Sequence, residues 1–251
     1  MLKLPNIILI ISVLLIIAGT VSLFYYRTKN FETCEASLKR FAENHLCIAT
    51  DKGNMIFELY ADAAPKGVER MKSLSNERKF YDNLEFYRVV KDFVIQGGVQ
   101  DYYARTGGAQ VEDAKMKEKL DIYLNEKIDV EVNFDKLNLS EEEKTALSGI
   151  GIRTNPNLNT RKFEFGNIAY ANRGDNDPNS NGTEFFIITS KDSESPSVKP
   201  LNGKFTNLGK IVEGQDLLEK LDDSEINTSY LYSGDNSKPL DIIRILEMRA
   251  K

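Results

Sequence analysis

At 251 residues with a net charge of −5, the chain suits one domain with additions and offers no basic stripe to neutralise phosphates, which argues against a nucleic-acid partner. Its 41% hydrophobic and 28% charged content describe a globular protein able to bury a core. The single histidine, His45, leaves almost no material for a histidine general base or a His-rich metal site, and no metal is expected.

Residues 4–26 carry no charge, and the run from Asn6 to Phe24 is almost wholly apolar. As a helix rising ~1.5 Å per residue it would reach about 35 Å, enough to cross a hydrocarbon core of ~30 Å. Residues 1–26 are therefore expected to form an uncleaved membrane anchor. The alternative is a signal peptide, whose apolar region usually covers only ~7–15 residues. Lys3 precedes the span, whereas Arg27, Lys29, Lys39 and Arg40 follow it, so flanking charge does not support an N-terminus-in orientation. Long domains translocate despite such charges, and the expected location is a single-pass membrane protein with its domain on the extracytoplasmic side. Residues 27–45 read as a linker with a short amphipathic helix, Phe31, Leu38 and Phe41 standing apolar among charges. Cys34 and Cys47 are the only cysteines. In one continuous helix they would lie ~20 Å apart, beyond the ~7 Å that a disulfide spans. A bridge requires the chain to turn back near Glu43-Asn44-His45; otherwise they are two unrelated small apolar side chains.

From residue 46 to 251 the pattern is that of a globular domain. Strands are expected at 47–50 and 55–60 around the turn Asp51-Lys52-Gly53-Asn54, then a helix from Pro65 to about Arg78 with Val68, Met71 and Leu74 on one side. Strands at 84–90 and 93–97 follow. Strict alternation places Phe86, Arg88 and Val90 on one face and Tyr87 and Val89 on the other, with Phe93 and Ile95 opposite Val94 and Gln96. A guanidinium among valines and phenylalanines is costly unless it has a partner or a task. The segment at about 109–163 is rich in Lys, Glu, Asp and Asn and reads as an insertion, with Ser140-Glu141-Glu142-Glu143 starting a short helix by a capping box. Its carboxylates, at Glu112, Asp113, Glu141, Glu142 and Glu143, read as solvated helix faces and not as an acid–base pair. Strands at 167–171, 184–189 and 206–212, a helix at 214–221 and a last strand at 240–248 complete the chain. Many short strands with few helices indicate a closed β-barrel or a sandwich.

Two stretches carry a more specific signal: FYRVVKDFVIQGG at 86–98 and ANRGDNDPNSNGTEFFI at 171–187. With ELYADAAPKGVERM before them and LNGKFTNLGKIVEG after them, in that order, the chain resembles the cyclophilin family of peptidyl-prolyl cis-trans isomerases. The resemblance implies a mainly β fold: a closed eight-stranded antiparallel barrel capped by two helices. It implies that Arg88 acts on the prolyl amide while Gln96 hydrogen-bonds a substrate carbonyl or orients Arg88. Phe93, Val94, Phe186 and Leu201 would hold the proline ring, and Ala171 and Asn172 would offer backbone to an extended peptide. Glu184 and Phe205 complete the substrate-binding set. This sequence departs from the family at several of these places: Tyr87 stands where histidine is common, Val94 where methionine is, Glu184 where glutamine is, and Phe205 where well-studied members carry a pocket histidine. The function implied is peptidyl-prolyl isomerisation assisting exported or membrane-proximal chains, with no cofactor. Its partners would be proline-containing segments of client proteins and, through the N-terminal helix, the membrane. The alternative is a non-catalytic peptide-binding or chaperone module, which Glu184 and the long insertion favour.

Overall fold

A strand with one apolar face must bury it, and eight such strands do so with no open edge by curling into a closed sheet. The computed structural model describes residues 32–99, 113–172, 178–227 and 237–251, so the expected membrane segment, residues 1–26, lies outside the described residues. Among those described, no helix is long and apolar enough to cross a membrane. Residues 34–251 form one compact unit. In chain order its elements are α1 (Cys34–Leu38), β1 (His45–Thr50), β2 (Gly53–Leu59), α2 (Pro65–Asn76), β3 (Glu85–Val90), β4 (Val94–Gly98), α3 (Ala114–Asn125), β5 (Ile128–Asp129) and α4 (Glu141–Gly149). There follow β6 (Asn167–Asn172), β7 (Asn179–Ile188), β8 (Asn207–Glu213), α5 (Gln215–Asp222), β9 (Ile226–Asn227), β10 (Lys238–Pro239) and β11 (Ile243–Ala250).

The pairings run β1–β2–β8–β6–β7–β4–β3–β11 and return to β1, every one antiparallel. This is the closed eight-stranded barrel that the resemblance implied. The short β5 adds to β7 outside that circle, and β9 pairs with β10 in a separate ribbon. Inside the barrel Ile48, Phe57, Phe86, Val89, Ile95, Ile168, Phe185 and Ile245 share one core. Helix α2 contributes Val68, Met71 and Leu74 to it, and α5 contributes Leu218 and Leu221. Each such side chain withdrawn from water stabilises the fold by about 1.5–3 kcal/mol, so the two helices are held by apolar burial far more than by helix propensity.

The N-terminal helix is shorter than the sequence suggested. Only residues 34–38 are helical, because the chain must turn back: Asn44 adopts a left-handed φ of 62° and its N–H donates to the Lys251 carbonyl at 2.6 Å. That reversal brings Cys34 to within 5.4 Å (Cα to Cα) of Cys47, and the two form a disulfide. Of the two readings left open, the bridge is the one realised.

The insertion is more structured than its composition suggested. Asp113 accepts from the Met116 N–H at 2.8 Å and so starts α3, whose Leu120, Ile122 and Tyr123 join the main core. Around α4 the capping box forms as expected, with Ser140 and Glu143 exchanging bonds of 2.7 and 3.2 Å. Asp113 and Glu143 are thus caps and not merely solvated charges; Glu112 lies outside the described residues. The rest of the insertion builds a small core of its own from Val130, Val132, Phe134, Leu137 and Ile152. It is fastened to the barrel by Glu131. The N-cap of α2 is Ala64, which offers no side-chain acceptor, and the Glu131 carboxylate takes the Lys66 and Gly67 N–H groups instead, at 3.1 and 2.7 Å. A negative charge there also suits the positive end of the helix. At the other end of α3, burial works to raise the Glu126 carboxyl, but bonds from Arg78 and Arg70 outweigh it and hold the group below its ordinary value.

The disulfide links residues 13 apart and restrains the unfolded chain. Reduction is expected to lower the unfolding free energy by about 2–4 kcal/mol. Urea titration with and without reductant tests this, and an unchanged midpoint would contradict it.

Candidate active site

The hairpin of β3 and β4 carries the two polar side chains that the sequence singled out. Its turn is fixed from outside. Asp92 takes a left-handed φ of 56°, and its N–H donates to Asp222 on α5 at 3.1 Å. The same carboxylate accepts from the Thr189 hydroxyl at 2.6 Å, while the Phe93 carbonyl accepts from the Thr189 N–H at 2.9 Å. Phe93 therefore lies in the turn, and β4 begins one residue later at Val94. The expected alternation fails at this point. Phe93 and Val94 both belong to one apolar cluster, whereas Ile95 points into the main core.

Alternation fails again on β3, for a different reason. Phe86 is registered with Gly97 and Arg88 with Gln96, so Tyr87 is an extra residue with no opposite number. Such a β-bulge re-aims the side chains next to it. Phe86 and Val89 enter the main core, while Tyr87 and Arg88 both reach Gln96. The expected grouping of Phe86 with Arg88 and of Tyr87 with Val89 is thus replaced.

Strand register sets what lies beside Arg88. Gln96 is opposite Arg88 on one side and opposite Phe186 on the other; Phe186 is opposite Ala169. Directly opposed residues have Cβ atoms about 4.5–5.5 Å apart, so Arg88, Gln96, Phe186 and Ala169 form one row across four strands. Phe186 is the centre of an apolar cluster distinct from the barrel core. Val94, Phe163, Ala169, Ala171, Ile188 and Val198 are its buried members, with Phe93, Leu201 and Phe205 at its half-buried rim. Phe205 meets Phe186 edge-on, with ring centroids 5.4 Å apart and planes at 89°. Asn172 at the end of β6 donates to the Lys204 carbonyl at 3.3 Å and so ties the segment carrying Phe205 to the barrel. Beneath the row, burial raises the Tyr81 and Tyr170 phenols above their ordinary values, and both stay neutral.

Arg88 is half-buried, and its Nη1 stands 3.5 Å from Gln96 Oε1. The Gln96 Nε2 donates to the Tyr87 oxygen at 2.6 Å, and the Tyr87 hydroxyl donates to Glu184 Oε2 at 2.9 Å. Glu184 Oε1 takes the Val99 N–H at 2.7 Å. Glu184 had been expected among the substrate-binding side chains, and the structure corrects this. It is fully buried, at 0% exposure, because the chain at Gly98–Val99 crosses over its carboxylate. Of the other expected residues, Phe93, Val94, Ala171, Phe186, Leu201 and Phe205 come together in the cluster, Arg88 and Gln96 stand side by side, and Asn172 sits at the edge. Sequence reasoning missed Phe163 and Val198, both buried in this cluster. Phe163, at the very end of the insertion and just before an apolar strand, was the readable hint.

A row of this kind offers a fixed cation with several directional donors beside an apolar cup. It contains no nucleophile paired with a base. Among the described residues no cluster of His, Cys, Asp and Glu is suited to hold a metal ion.

Comparison with known proteins bears on what such a site is for. Residues 45–250 match the family described as cyclophilin type peptidyl-prolyl cis-trans isomerase/CLD. The chain is 28% identical over 208 residues to the peptidyl-prolyl cis-trans isomerase cypE of Dictyostelium discoideum, covering 83% of this chain and 98% of that one. It is 25% identical over 202 residues to the isomerase CYP18-2 of Arabidopsis thaliana, covering 80% and 90%. Among solved structures, a cyclophilin type isomerase of Cryptosporidium parvum, determined in the presence of the dipeptide Ala-Pro, aligns over 82% of this chain and 98% of its own with a TM-score of 0.54 and 23% identity, a likeness of fold.

Proposed function

The chain belongs to the cyclophilin-type peptidyl-prolyl cis-trans isomerases, and from that membership we propose that Arg88 lowers the barrier to rotation about X–Pro bonds held against the Phe186 cluster. Rotation breaks amide resonance, against a barrier of ~18–20 kcal/mol, and needs neither a nucleophile nor a proton transfer. A donor placed at the prolyl nitrogen localises the lone pair there, which stabilises the twisted amide. A guanidinium suits this task because it stays charged and presents several donors in a rigid fork. Only binding that strengthens in the twisted state raises the rate, each ~1.4 kcal/mol of it giving tenfold. The cup formed by Phe93, Val94, Phe186, Leu201 and Phe205 holds the proline ring, and Gln96 holds Arg88 or takes a substrate carbonyl. Ala171 and Asn172 line the path of an extended peptide.

The observation that carries this reading is the register row: Arg88 and Phe186 are the two neighbours of Gln96 across the sheet. The Cryptosporidium parvum protein of the same fold was determined in the presence of the dipeptide Ala-Pro, a ligand of the class proposed here. For the cell, the proposed setting is the extracytoplasmic face of a membrane. Residues 1–26 serve as anchor, the residues up to Cys34 lead from it to the domain, and exported or membrane-proximal chains are the clients. The length of the apolar run supports this, as does the buried Cys34–Cys47 bridge, since disulfides persist in oxidising compartments.

Arg88→Ala is expected to lower kcat/KM on a proline-containing peptide by roughly 10²–10³-fold, the usual loss when one transition-state donor is removed. Wild-type activity no greater than that of the variant would overturn the proposal. For the anchor, alkaline extraction is expected to leave the full-length protein in the membrane fraction with residues 1–26 still attached. An N-terminus beginning after Thr20 or Ser22 would contradict it.

A further inference from the structure

Tyr87 and Glu184 touch each other at 2.9 Å, next to Gln96. Both are sealed from solvent, at 1% and 0% exposure. We infer that they are positioning residues: the buried Glu184 carboxylate fixes which way the Gln96 amide faces, and so aims Arg88. The inference rests on the reading that Arg88 acts on the prolyl amide.

The argument follows donors and acceptors from one end of the chain of bonds to the other. A carboxylate only accepts, and both Glu184 oxygens are engaged, Oε1 by the Val99 N–H and Oε2 by the Tyr87 hydroxyl. Tyr87 has a single hydroxyl hydrogen, and Glu184 takes it. Toward Gln96 the phenol oxygen can then only accept, so the NH₂ end of the Gln96 amide must face it, at 2.6 Å. The carbonyl end, Gln96 Oε1, is thereby turned to Arg88 Nη1, which only donates. Each contact has one polarity, and all agree. With Gln96 reversed, its NH₂ group would face the guanidinium, donor against donor.

Exchanging one atom should reverse the order. In Glu184→Gln the Val99 N–H still requires an oxygen, so the new NH₂ group faces Tyr87. The Tyr87 hydroxyl, no longer taken by a carboxylate, can donate to Gln96, which then presents its NH₂ to Arg88. The amide at position 184 has no route to rotate into water. A Cβ at residue 98 would stand 2.2 Å from the Glu184 carboxylate, and Gly98 holds a φ of +143°, so the crossing chain closes directly over the group. Burial also raises the stakes, because a polar group left with the wrong partner there costs far more than at the surface.

The test is steady-state isomerisation of a proline-containing peptide by the purified chain, with kcat and KM determined separately. Wild type, Arg88→Ala, Glu184→Gln and Tyr87→Phe are compared, each checked for folding by circular dichroism. Glu184→Gln is expected to lower kcat at least tenfold with KM within about twofold, since the apolar cup is untouched. Tyr87→Phe is expected to do the same, and it decides the matter should Glu184→Gln not fold. A merely structural role for the pair would change the unfolding midpoint and leave kcat per folded molecule alone. Wild-type activity well above Arg88→Ala together with unchanged kcat in the folded single variants would overturn this inference and leave the proposed function standing. Activity that does not depend on Arg88 would overturn both.

Discussion

The site depends on the pairing of β4 along both of its edges. With β3 on one side and β7 on the other, the strand places Gln96 between Arg88 and Phe186. A slip of one residue in either ladder would turn Gln96 to the opposite face and move the cation away from the apolar cup. Closure of the barrel removes that freedom, because each strand answers to two neighbours. The turn that starts β4 is held as well, by the buried Asp222 carboxylate on α5. The geometry of the row from Arg88 to Phe186 is thus a property of the whole sheet and not of the loop nearest to it.

The polar interior beneath the row follows a different rule. A buried polar group is tolerated when its hydrogen bonds are made, and the sequence from the Val99 amide through Glu184, Tyr87 and Gln96 to Arg88 meets that condition at each contact. Elsewhere the same economy joins the insertion to the barrel. Glu131 satisfies N–H groups at the start of α2 that its own N-cap residue leaves open, so a long added segment stabilises an element it is not part of. The insertion's separate apolar core explains how it can be accommodated without reshaping the barrel.

Much of this was legible from the chain. The order of FYRVVKDFVIQGG and NSNGTEFFI identified the hairpin and its facing strand, and the phenylalanines named by the resemblance share one apolar cluster. What was hidden has definite physical causes. The bulge at Tyr87 is invisible to alternation, which assumes one residue opposite another; the adjacent Gly97-Gly98 pair was its only trace. Glu184 was placed in the groove by the resemblance alone, which says nothing of what packs against its side chain here. The end of the paired strand β4 lies against it, with Gly98 directly over the carboxylate and the Val99 N–H bonded to it. Helix α3 was missed because its charges drew attention from Leu120 and Tyr123, although Asp113 is a standard N-cap. The disulfide needed the reversal at Asn44, which composition does not specify.

The central claim is that a directional guanidinium, and not positive charge alone, lowers the barrier. Exchange NMR on a proline-containing peptide measures binding and cis–trans interconversion in the same sample, and Arg88→Lys is the variant that separates the two ideas. The account predicts that the lysine protein binds the peptide with an affinity within a few-fold of wild type while catalysed exchange falls by at least tenfold. Exchange by Arg88→Lys at the wild-type rate would contradict it.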